Sequence, residues 1–292
     1  MGENDSELRA NARYYMAICA IELFHKDAEH LLDRFISEYP ENPKVNSAYF
    51  YMGEFQYRRD NYQKVVRWFK EINKDKLTND QLGEYYFKLG YSYFSTRQED
   101  LAKPAFYRIK DVNTKYTPPA IYFYSHIHYK EKNYQTALNG FLRLTNDRTF
   151  GPIAPYYIVQ IYYKQGRYEE LVNYAPGIMH KVTHKRLDEV ARITAEAFTQ
   201  LGRYEESVPF YRTYLDSANY IRKEDKYQAG YAFYKAGEYE DAVAILGEIS
   251  STESKLGQNA AYYLADCYLQ LSDKQNARLA FQSASRSNFD PA

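Results

Sequence analysis

The feature that most constrains this chain is an internal repeat with a period of 34 to 37 residues. One residue in the middle of the first predicted helix of each repeat serves as its anchor. The anchors are Met16, Gly53, Gly90, Ser125, Val159, Ala195, Gly230 and Ala265. The 292 residues exceed the usual size of a single hydrophobic core, and a period of this length is typical of stacked helical hairpins. The sequence therefore predicts a solenoid.

Two further positions recur at fixed distances from each anchor. Twelve residues on lie Ala28, Val65, Ala102, Ala137, Leu171, Ser207, Ala242 and Ala277. Four residues beyond these lie Leu32, Phe69, Phe106, Phe141, Ala175, Tyr211, Leu246 and Phe281. Small side chains at the first two positions let two helices approach closely, and the usually larger third residue fills the space beyond them.

The turn between the two helices also has a signature. Nine residues after the anchor, five repeats place a tyrosine: Tyr62, Tyr134, Tyr168, Tyr204 and Tyr239. In three of these repeats a glycine comes two residues earlier: Gly166, Gly202 and Gly237. Glycine at this place indicates a short turn that ends the first helix.

The pattern resembles the tetratricopeptide repeat family over nearly the whole chain. The segments YYFKLGYSYFSTRQEDLAKPAFYRI and YQAGYAFYKAGEYEDAVAILGEI match it well. The resemblance implies an all-α fold, a right-handed superhelical solenoid of about eight helical hairpins. The repeats are expected near residues 9–41, 46–78, 83–114, 118–148, 152–180, 187–219, 223–254 and 258–289.

Two places are expected to depart from the regular array. The second helix of the fifth repeat runs into Pro176-Gly177, which should break it, and we expect a joint in the solenoid at residues 176–187. The chain stops at Asp290-Pro291-Ala292, where aspartate followed by proline is typical of a helix start. We therefore expect residues 1–292 to form one continuous solenoid that is a fragment of a longer array.

The balance of charge argues against two classes of partner. Lysine and arginine together number 38, as do aspartate and glutamate, so no bulk field attracts nucleic acid or anionic lipid. No stretch approaches the roughly 20 apolar residues of a membrane-spanning helix. The chain begins with a polar run in place of a signal peptide, and we expect that an upstream signal has been removed. Cys19 and Cys267 are interpreted as small core residues without a disulfide.

Motifs for catalysis, cofactors or metals are not found in the sequence. The chain has 13 glycines and neither a Walker A nor a Rossmann pattern. His126 and His128 lie two residues apart and point to different sides of a helix. His180 and His184 have the spacing to share a helix face, but Lys181 stands where a metalloprotease has glutamate, so an ordinary solvated pair is favoured. We expect no enzyme activity, no cofactor and no metal.

The candidate site is one side of the first helices. Residues three before, one after and four after each anchor share a face of the helix, and we call these positions the first-helix face. In tetratricopeptide proteins this face lines the concave groove, and the resemblance implies the same use here. The predicted partner-binding residues are Phe50, Tyr57, Phe87, Tyr91, Phe94, Tyr122, Tyr129, Tyr156, Tyr163, Tyr227, Tyr231, Tyr234 and Tyr262. The sixth repeat interrupts the aromatic series with Arg192, Glu196 and Thr199.

Three functional hypotheses follow from this face. Aromatic side chains offer large, rigid contact areas, and tyrosine hydroxyls add hydrogen bonds. The leading hypothesis is a protein-interaction scaffold that binds a peptide or protein segment in the groove. One alternative is a carbohydrate-binding module that stacks sugar rings on the tyrosines. The other is a structural spacer within a larger assembly, in which the rings only pack against the neighbouring repeat.

The 34 tyrosines add a narrower resemblance. The chain is similar to long tyrosine-rich repeat proteins of Bacteroidota-type cell envelopes, which are likened to the Tol–Pal-associated periplasmic factor. This resemblance implies a periplasmic or cell-envelope location. The family's chaperone-tail binders hold a terminal carboxylate with lysine and asparagine, whereas the corresponding positions here are largely aromatic, so that activity is not expected.

Overall fold

The computed structural model describes residues 3–251 and 253–286, and this part of the chain is all-helical with no β-strand. Its α-helices are α1 (Glu3–Glu22), α2 (Ala28–Glu38), α3 (Val45–Arg58), α4 (Tyr62–Lys70), α5 (Asn79–Ser95), α6 (Glu99–Tyr107), α7 (Thr117–Lys130), α8 (Tyr134–Arg143), α9 (Ala154–Lys164), α10 (Tyr168–Tyr174), α11 (His184–Gln200), α12 (Tyr204–Ser217), α13 (Lys223–Ala236), α14 (Tyr239–Gly247), α15 (Lys255–Gln270) and α16 (Lys274–Arg286). Short 3₁₀ helices cover Lys74–Lys76 and Pro176–Lys181. The helix start predicted at Asp290-Pro291 lies outside the described residues.

The helices pair into eight hairpins, each made of an odd-numbered first helix and the even-numbered second helix that follows it. The chain divides between Leu144 and Thr145 into two compact units, the first holding α1 to α8 and the second α9 to α16. Inside each unit, a second helix also packs against the first helix of the next hairpin. The predicted all-α helical repeat fold is thereby confirmed. The joint predicted at residues 176–187 lies within the second unit and stays a prediction.

Close packing at the anchors explains their small side chains. A Cβ atom added to Gly53 would lie 1.9 Å from a ring carbon of Phe69. One added to Gly230 would lie 2.7 Å from the side chain of Leu246. Contacts between carbon atoms become favourable only near 3.5–4.0 Å. The larger residue sixteen positions after the anchor therefore occupies the space that an anchor side chain would need.

The first hairpin corrects the sequence prediction by one residue. Met16 is 52% exposed, whereas Ala17 is fully buried in the core with Ala28. The anchor of this hairpin is therefore Ala17, and the choice of Met16 was wrong. Ala17 lies eleven residues before Ala28, whereas in the other hairpins twelve residues separate the anchor from the second packed position.

Each hairpin turn contains one residue in the left-handed backbone conformation, seven positions after the anchor. Three of these residues are the predicted turn glycines Gly166, Gly202 and Gly237, with φ of 67°, 72° and 81°. The others are Phe24, Asp60, Arg97, Lys132 and Ser272, with φ between 52° and 64°. A residue with a side chain adopts this conformation at roughly 1–2 kcal/mol. Five hairpins therefore keep the glycine-type turn without glycine.

The second helix of the fifth hairpin breaks where the sequence predicts. Helix α10 has 7 residues and ends at Tyr174, and the chain continues as the 3₁₀ helix that begins at Pro176. Proline has no N–H to donate and its ring crowds the preceding turn, and the glycine that follows it disfavours helix further, so this pair favours an end to the α-helix.

The two cysteines differ from each other in burial. Cys267 is fully buried, as predicted, whereas Cys19 is exposed. Cys19 follows the buried Ala17 by two residues, and two residues of a helix turn a side chain to a different side. The interpretation of Cys19 as a core residue was therefore wrong.

Candidate interaction surface

In the first unit, aromatic side chains of three successive hairpins form one connected group of rings. The ring of Tyr57 on α3 lies 5.8 Å from that of Tyr91 on α5, measured between centroids. Phe123 on α7 lies 5.1 Å from Tyr91, 5.0 Å from Phe94 and 6.4 Å from Phe87. Ring pairs at such distances contribute about 0.5–1.5 kcal/mol each beyond their buried area. The predicted residues of α3 and α5 are thereby joined through Phe123.

The group of rings continues along α7. Tyr122 stacks on His126 with centroids 6.0 Å apart, and His126 also lies 6.0 Å from Phe94. Burial lowers the pKa of His126, which favours the neutral imidazole at pH 7. Tyr129 lies 6.0 Å from Tyr134, the residue that begins α8.

A buried ion cluster lies beside these rings. The Lys88 ammonium on α5 is 2.5 Å from a carboxylate oxygen of Glu54 on α3 and also binds Glu84 on its own helix. The Lys88 side chain is 10% exposed, and its ammonium lies 5.4 Å from the centre of the Tyr57 ring. Because the lysine bridges two helices with little access to water, this cluster ties the second hairpin to the third.

The pKa values of the two carboxyl groups of this cluster are shifted in opposite directions. Burial raises the pKa of Glu54, and the neighbouring Glu84 adds to that rise. Burial acts the same way on Glu84, but hydrogen bonds with Glu54, Lys88 and Tyr116 outweigh it and lower the pKa of Glu84 to about 2. Glu84 is therefore ionised at neutral pH and pairs with the Lys88 ammonium.

In the second unit, tyrosine hydroxyls bind carboxylates of the next hairpin. Tyr163 on α9 donates to Glu196 on α11 at 2.6 Å, and Tyr234 on α13 donates to Asp266 on α15 at 2.6 Å. In both pairs the donor comes four residues after one anchor and the acceptor one residue after the next. Burial and the bond to Glu196 raise the pKa of Tyr163, and the bond to Asp266 raises the pKa of Tyr234. We call these two hydrogen bonds the tyrosine rungs.

Two further contacts join α9 to the first turns of α11. The Gln160 amide donates to Glu189 at 2.5 Å. The Arg186 guanidinium lies 4.0 Å from the centre of the Tyr156 ring, within the range of a cation–π contact. Tyr156 is therefore held on its face by a cation.

A second group of rings forms around Tyr231 on α13. Its centroid lies 5.0 Å from Tyr263 on α15, 6.0 Å from Tyr204 on α12 and 6.3 Å from Tyr227 on its own helix. Tyr234 joins the group at 5.2 Å from Tyr263. As in the first unit, rings of consecutive hairpins meet edge to face or tilted, the arrangement that aromatic quadrupoles favour.

The sixth repeat interrupts the rings with polar side chains, as the sequence indicates. Arg192 binds Glu196 on the same helix, so this carboxylate has both a guanidinium and the Tyr163 hydroxyl as partners. The Thr199 hydroxyl donates to the carbonyl of Ala195 at 3.0 Å. The interruption is therefore a network of satisfied polar groups.

Most of the predicted residues are half-buried. Those that both pack and keep surface are Tyr57, Phe87, Tyr91, Phe94, Tyr122, Tyr129, Tyr156, Tyr163, Tyr227, Tyr231 and Tyr234. Tyr262 is 55% exposed and lies 5.8 Å from Phe281. Phe50 is 4% exposed and stacks on Phe69 at 5.8 Å, so it contributes to the core.

Several residues of the surface were absent from the predicted set. Phe123 and Tyr263 come two residues before their anchors, a position that the i, i+4, i+7 selection leaves out. Tyr62 lies 5.5 Å from Tyr91, and Tyr204 is the ring that meets Tyr231. Both are the tyrosines nine residues after an anchor, so the repeat pattern already contained the signal that places them here.

Within residues 3–251 and 253–286, no three histidine, cysteine, aspartate or glutamate side chains group together as metal ligands. His180 lies in a 3₁₀ helix and His184 begins α11, so the two do not share one helix. None of the helices described has both the length and the apolar character needed to cross a bilayer.

Within each unit, hairpins that pack side by side, with aromatic and polar contacts between consecutive first helices, define a helical-repeat protein. Residues 227–291 match the tetratricopeptide repeat family, and this stretch covers most of α13 to α16. The match to this family thus concerns the seventh and eighth hairpins. A comparison with curated protein sequences finds no match.

Three solved structures with similarity to this chain are distant from it in sequence. The C-terminal part of a tetratricopeptide repeat-containing protein from Cytophaga hutchinsonii is 17% identical with a TM-score of 0.49, over 83% of this chain and 96% of that one. A tetratricopeptide repeat protein from Parabacteroides merdae is 12% identical with a TM-score of 0.47, over 94% and 98%. YrrB, described as a tetratricopeptide protein with an unusual peptide-binding site, is 14% identical with a TM-score of 0.49, over 62% and 91%. These likenesses concern the fold alone.

Proposed function

We propose that this protein is an interaction scaffold whose first-helix face binds a peptide or protein segment. The observation that supports this most is the pair of connected ring groups, one in each unit, whose members are half-buried and keep part of their surface exposed. Tetratricopeptide repeats are typically non-enzymatic scaffolds, which agrees with the coarse form of the proposal. The first-helix face as the binding surface is the finer step.

The contacts within the surface favour binding because they fix the rings in advance. Tyr163 and Tyr234 are held by hydrogen bonds to the next hairpin, and Tyr231 is held by three other rings. Ordering a flexible side chain on association costs about 0.5–1.5 kcal/mol. Rings that are already fixed avoid most of this loss, so their exposed area contributes more fully to affinity.

The chemistry of the surface indicates which residue types the partner segment carries. Half-buried rings with satisfied hydroxyls present mainly apolar area, so an extended segment with apolar or proline residues fits better than a highly charged one.

We further propose a cell-envelope location, which rests on the tyrosine-rich character of the chain. Fractionation of the source cells with an antibody against the chain tests the location separately from binding.

A cross-linking capture experiment tests the surface. The chain is cross-linked to partners from envelope and soluble fractions in parallel with the double variant Tyr231→Ser/Tyr262→Ser. Tyr220→Ser is the matched control, because Tyr220 is 79% exposed and lies outside the first-helix face. Circular dichroism first establishes that all three proteins have the same helical content.

Each outcome of the capture has a distinct meaning. A protein captured by the native chain and by Tyr220→Ser, lost from the double variant, and protecting Tyr227 and Tyr234 from hydroxyl-radical footprinting supports the proposal. Displacement of that protein by free oligosaccharide would favour the sugar-binding alternative. Equal capture by all three proteins would mean that the tyrosines of this face serve packing alone.

A further inference from the structure

A notch opens between the second helices of the first unit, away from the first-helix face. It lies between the end of α6 and helix α8, with α7 as its floor, and has a volume of about 270 Å³. The residues that matter to its chemistry are Tyr107, Lys110, Tyr124, Ser125, Gly140 and Arg143. We call it the Gly140 notch.

The notch exists because Gly140 lacks a side chain where other hairpins have one. The corresponding position, fifteen residues after the anchor, holds Trp68, Ala105, Tyr174, Phe210, Ile245 and Ala280 in hairpins two, three and five to eight. A Cβ atom at Gly140 would lie 1.8 Å from the Ser125 hydroxyl oxygen and 3.5 Å from Ile121. Glycine at this position therefore leaves space for the Ser125 hydroxyl at the floor of the notch.

The floor of the notch carries a buried hydroxyl without a partner. Ser125 has 0% exposure, and its Oγ finds no hydrogen bond among the described residues. Other buried hydroxyls of the first helices are satisfied: Ser92 donates to the Lys88 carbonyl and Thr194 to the Val190 carbonyl, both at 2.7 Å. Because buried polar groups are nearly always paired, the unpaired Ser125 points to a polar group that the notch receives.

The rim of the notch has more positive than negative charge. Arg143 donates to Asp111 at 2.8 Å and to the backbone carbonyl of Lys110 at 2.9 Å. Lys110 binds the same aspartate and lies 4.8 Å from the centre of the Tyr107 ring. Because two cations share one carboxylate, these three side chains carry a net positive charge that can bind a second anion.

The walls add an apolar surface beside these cations. Tyr107 and Tyr124 have ring centroids 6.0 Å apart, and Tyr107 is 58% exposed. Ile121 is buried at 6% exposure and lines the same cavity. A ligand here needs an anionic end for Lys110 and Arg143 and a short apolar stem for the rings.

We propose that the Gly140 notch binds the side chain of a glutamate from an acidic segment of a partner protein. Its volume is below that of the 300–1,000 Å³ pockets that take drug-sized ligands, so it suits a single side chain. The methylene stem packs between the tyrosine rings, and the carboxylate accepts hydrogen bonds from the rim cations. The Ser125 hydroxyl gains its missing partner at the floor. This site is separate from the first-helix face, so the two proposals stand or fall independently.

Methyl NMR of the full chain tests the notch directly, with the Ile121 methyl group as a local reporter. The probe is N-acetylglutamate N-methylamide, and the corresponding glutamine compound is its uncharged control. We expect the glutamate probe to shift the Ile121 signal saturably at millimolar concentration, with about fivefold weaker binding of the glutamine compound.

Three variants test which side chains of the notch bind the probe. Ser125→Ala keeps the packing and removes the floor hydroxyl, and Arg143→Gln removes one rim cation, so each is expected to weaken the probe about fivefold. Arg108→Gln is the matched control, because Arg108 is an exposed cation at the end of α6 outside the notch. The proposal is overturned if the Ile121 signal does not saturate, if both probes shift it equally, or if Arg108→Gln weakens binding as much as Arg143→Gln.

Discussion

Replacing Lys88 by methionine should destabilise the first unit through two carboxylates left without their cation. Methionine matches the length of the lysine stem, so the loss of charge dominates the effect. Lys88 is 10% exposed and the side chains of Glu54 and Glu84 are each 22% exposed. Removing one partner of a buried ion pair costs about 3–5 kcal/mol. Because water reaches the carboxylates in part, we expect about 3 kcal/mol at pH 7, near the lower end of that range.

The destabilisation caused by Lys88→Met should depend on pH in a definite direction. In the native protein the pKa of Glu84 is lowered from the ordinary 4.5 to about 2. A lowered pKa gives stability that is present above the unfolded value and lost as pH falls through the folded value. Lys88→Met removes much of that lowering. The difference in unfolding free energy between variant and native chain should therefore be largest at pH 7 and shrink below about pH 4.5.

Urea denaturation followed by tryptophan fluorescence measures this loss in the first unit. The chain has 1 tryptophan, Trp68 on α4, and it is 7% exposed. For a unit of this size, about 3 kcal/mol also corresponds to a fall in Tm of roughly 6–12 °C. Lys64→Met is the matched control, because Lys64 is 50% exposed and its pair with Glu29 should be worth under about 1 kcal/mol. Equal losses for the two variants, or a Lys88→Met loss that is the same at pH 7 and pH 4, would refute the reasoning.

Three further predictions concern the anchors, the turns and the cysteines. Gly53→Ala should lower the free energy of unfolding by about 1–3 kcal/mol in a urea titration, because the new methyl group overlaps Phe69. Gly237→Ala should lower the free energy of unfolding by about 1 kcal/mol, measured by thermal unfolding, because its φ of 81° disfavours a side chain. With a thiol reagent at neutral pH, Cys19 should react rapidly and Cys267 only on unfolding, because burial raises the pKa of Cys267 to about 12.

Much of the fold could be predicted from the sequence because close packing leaves few choices at the anchors. Gly53 and Gly230 lie where no side chain fits, and spacing alone finds such positions. The same rule failed at Met16, because the anchor Ala17 lies eleven and not twelve residues before Ala28. A fixed period cannot detect this change, since one residue fewer between the two packed positions leaves the composition of the helices unaltered.

The candidate surface was predicted in part. Helical spacing placed Tyr57 and Tyr91 on one face, but it gave no sign that Phe123, two residues before its anchor, would join them. Contacts of this kind depend on the angle between consecutive hairpins, which the sequence of one hairpin does not contain. The hydrogen bond from Tyr234 to Asp266 likewise depends on two hairpins at once, so only the three-dimensional structure shows it.

The tyrosine rungs make neighbouring hairpins depend on each other when partners bind. Tyr163 and Glu196 share one hydrogen bond, so a ligand that shifts the Tyr163 ring on one hairpin also disturbs the carboxylate on the next. Since repeat proteins transmit such effects chiefly between nearest neighbours, two ligands on hairpins joined by a tyrosine rung should alter each other's affinity. Ligands several hairpins apart should bind as though each were alone.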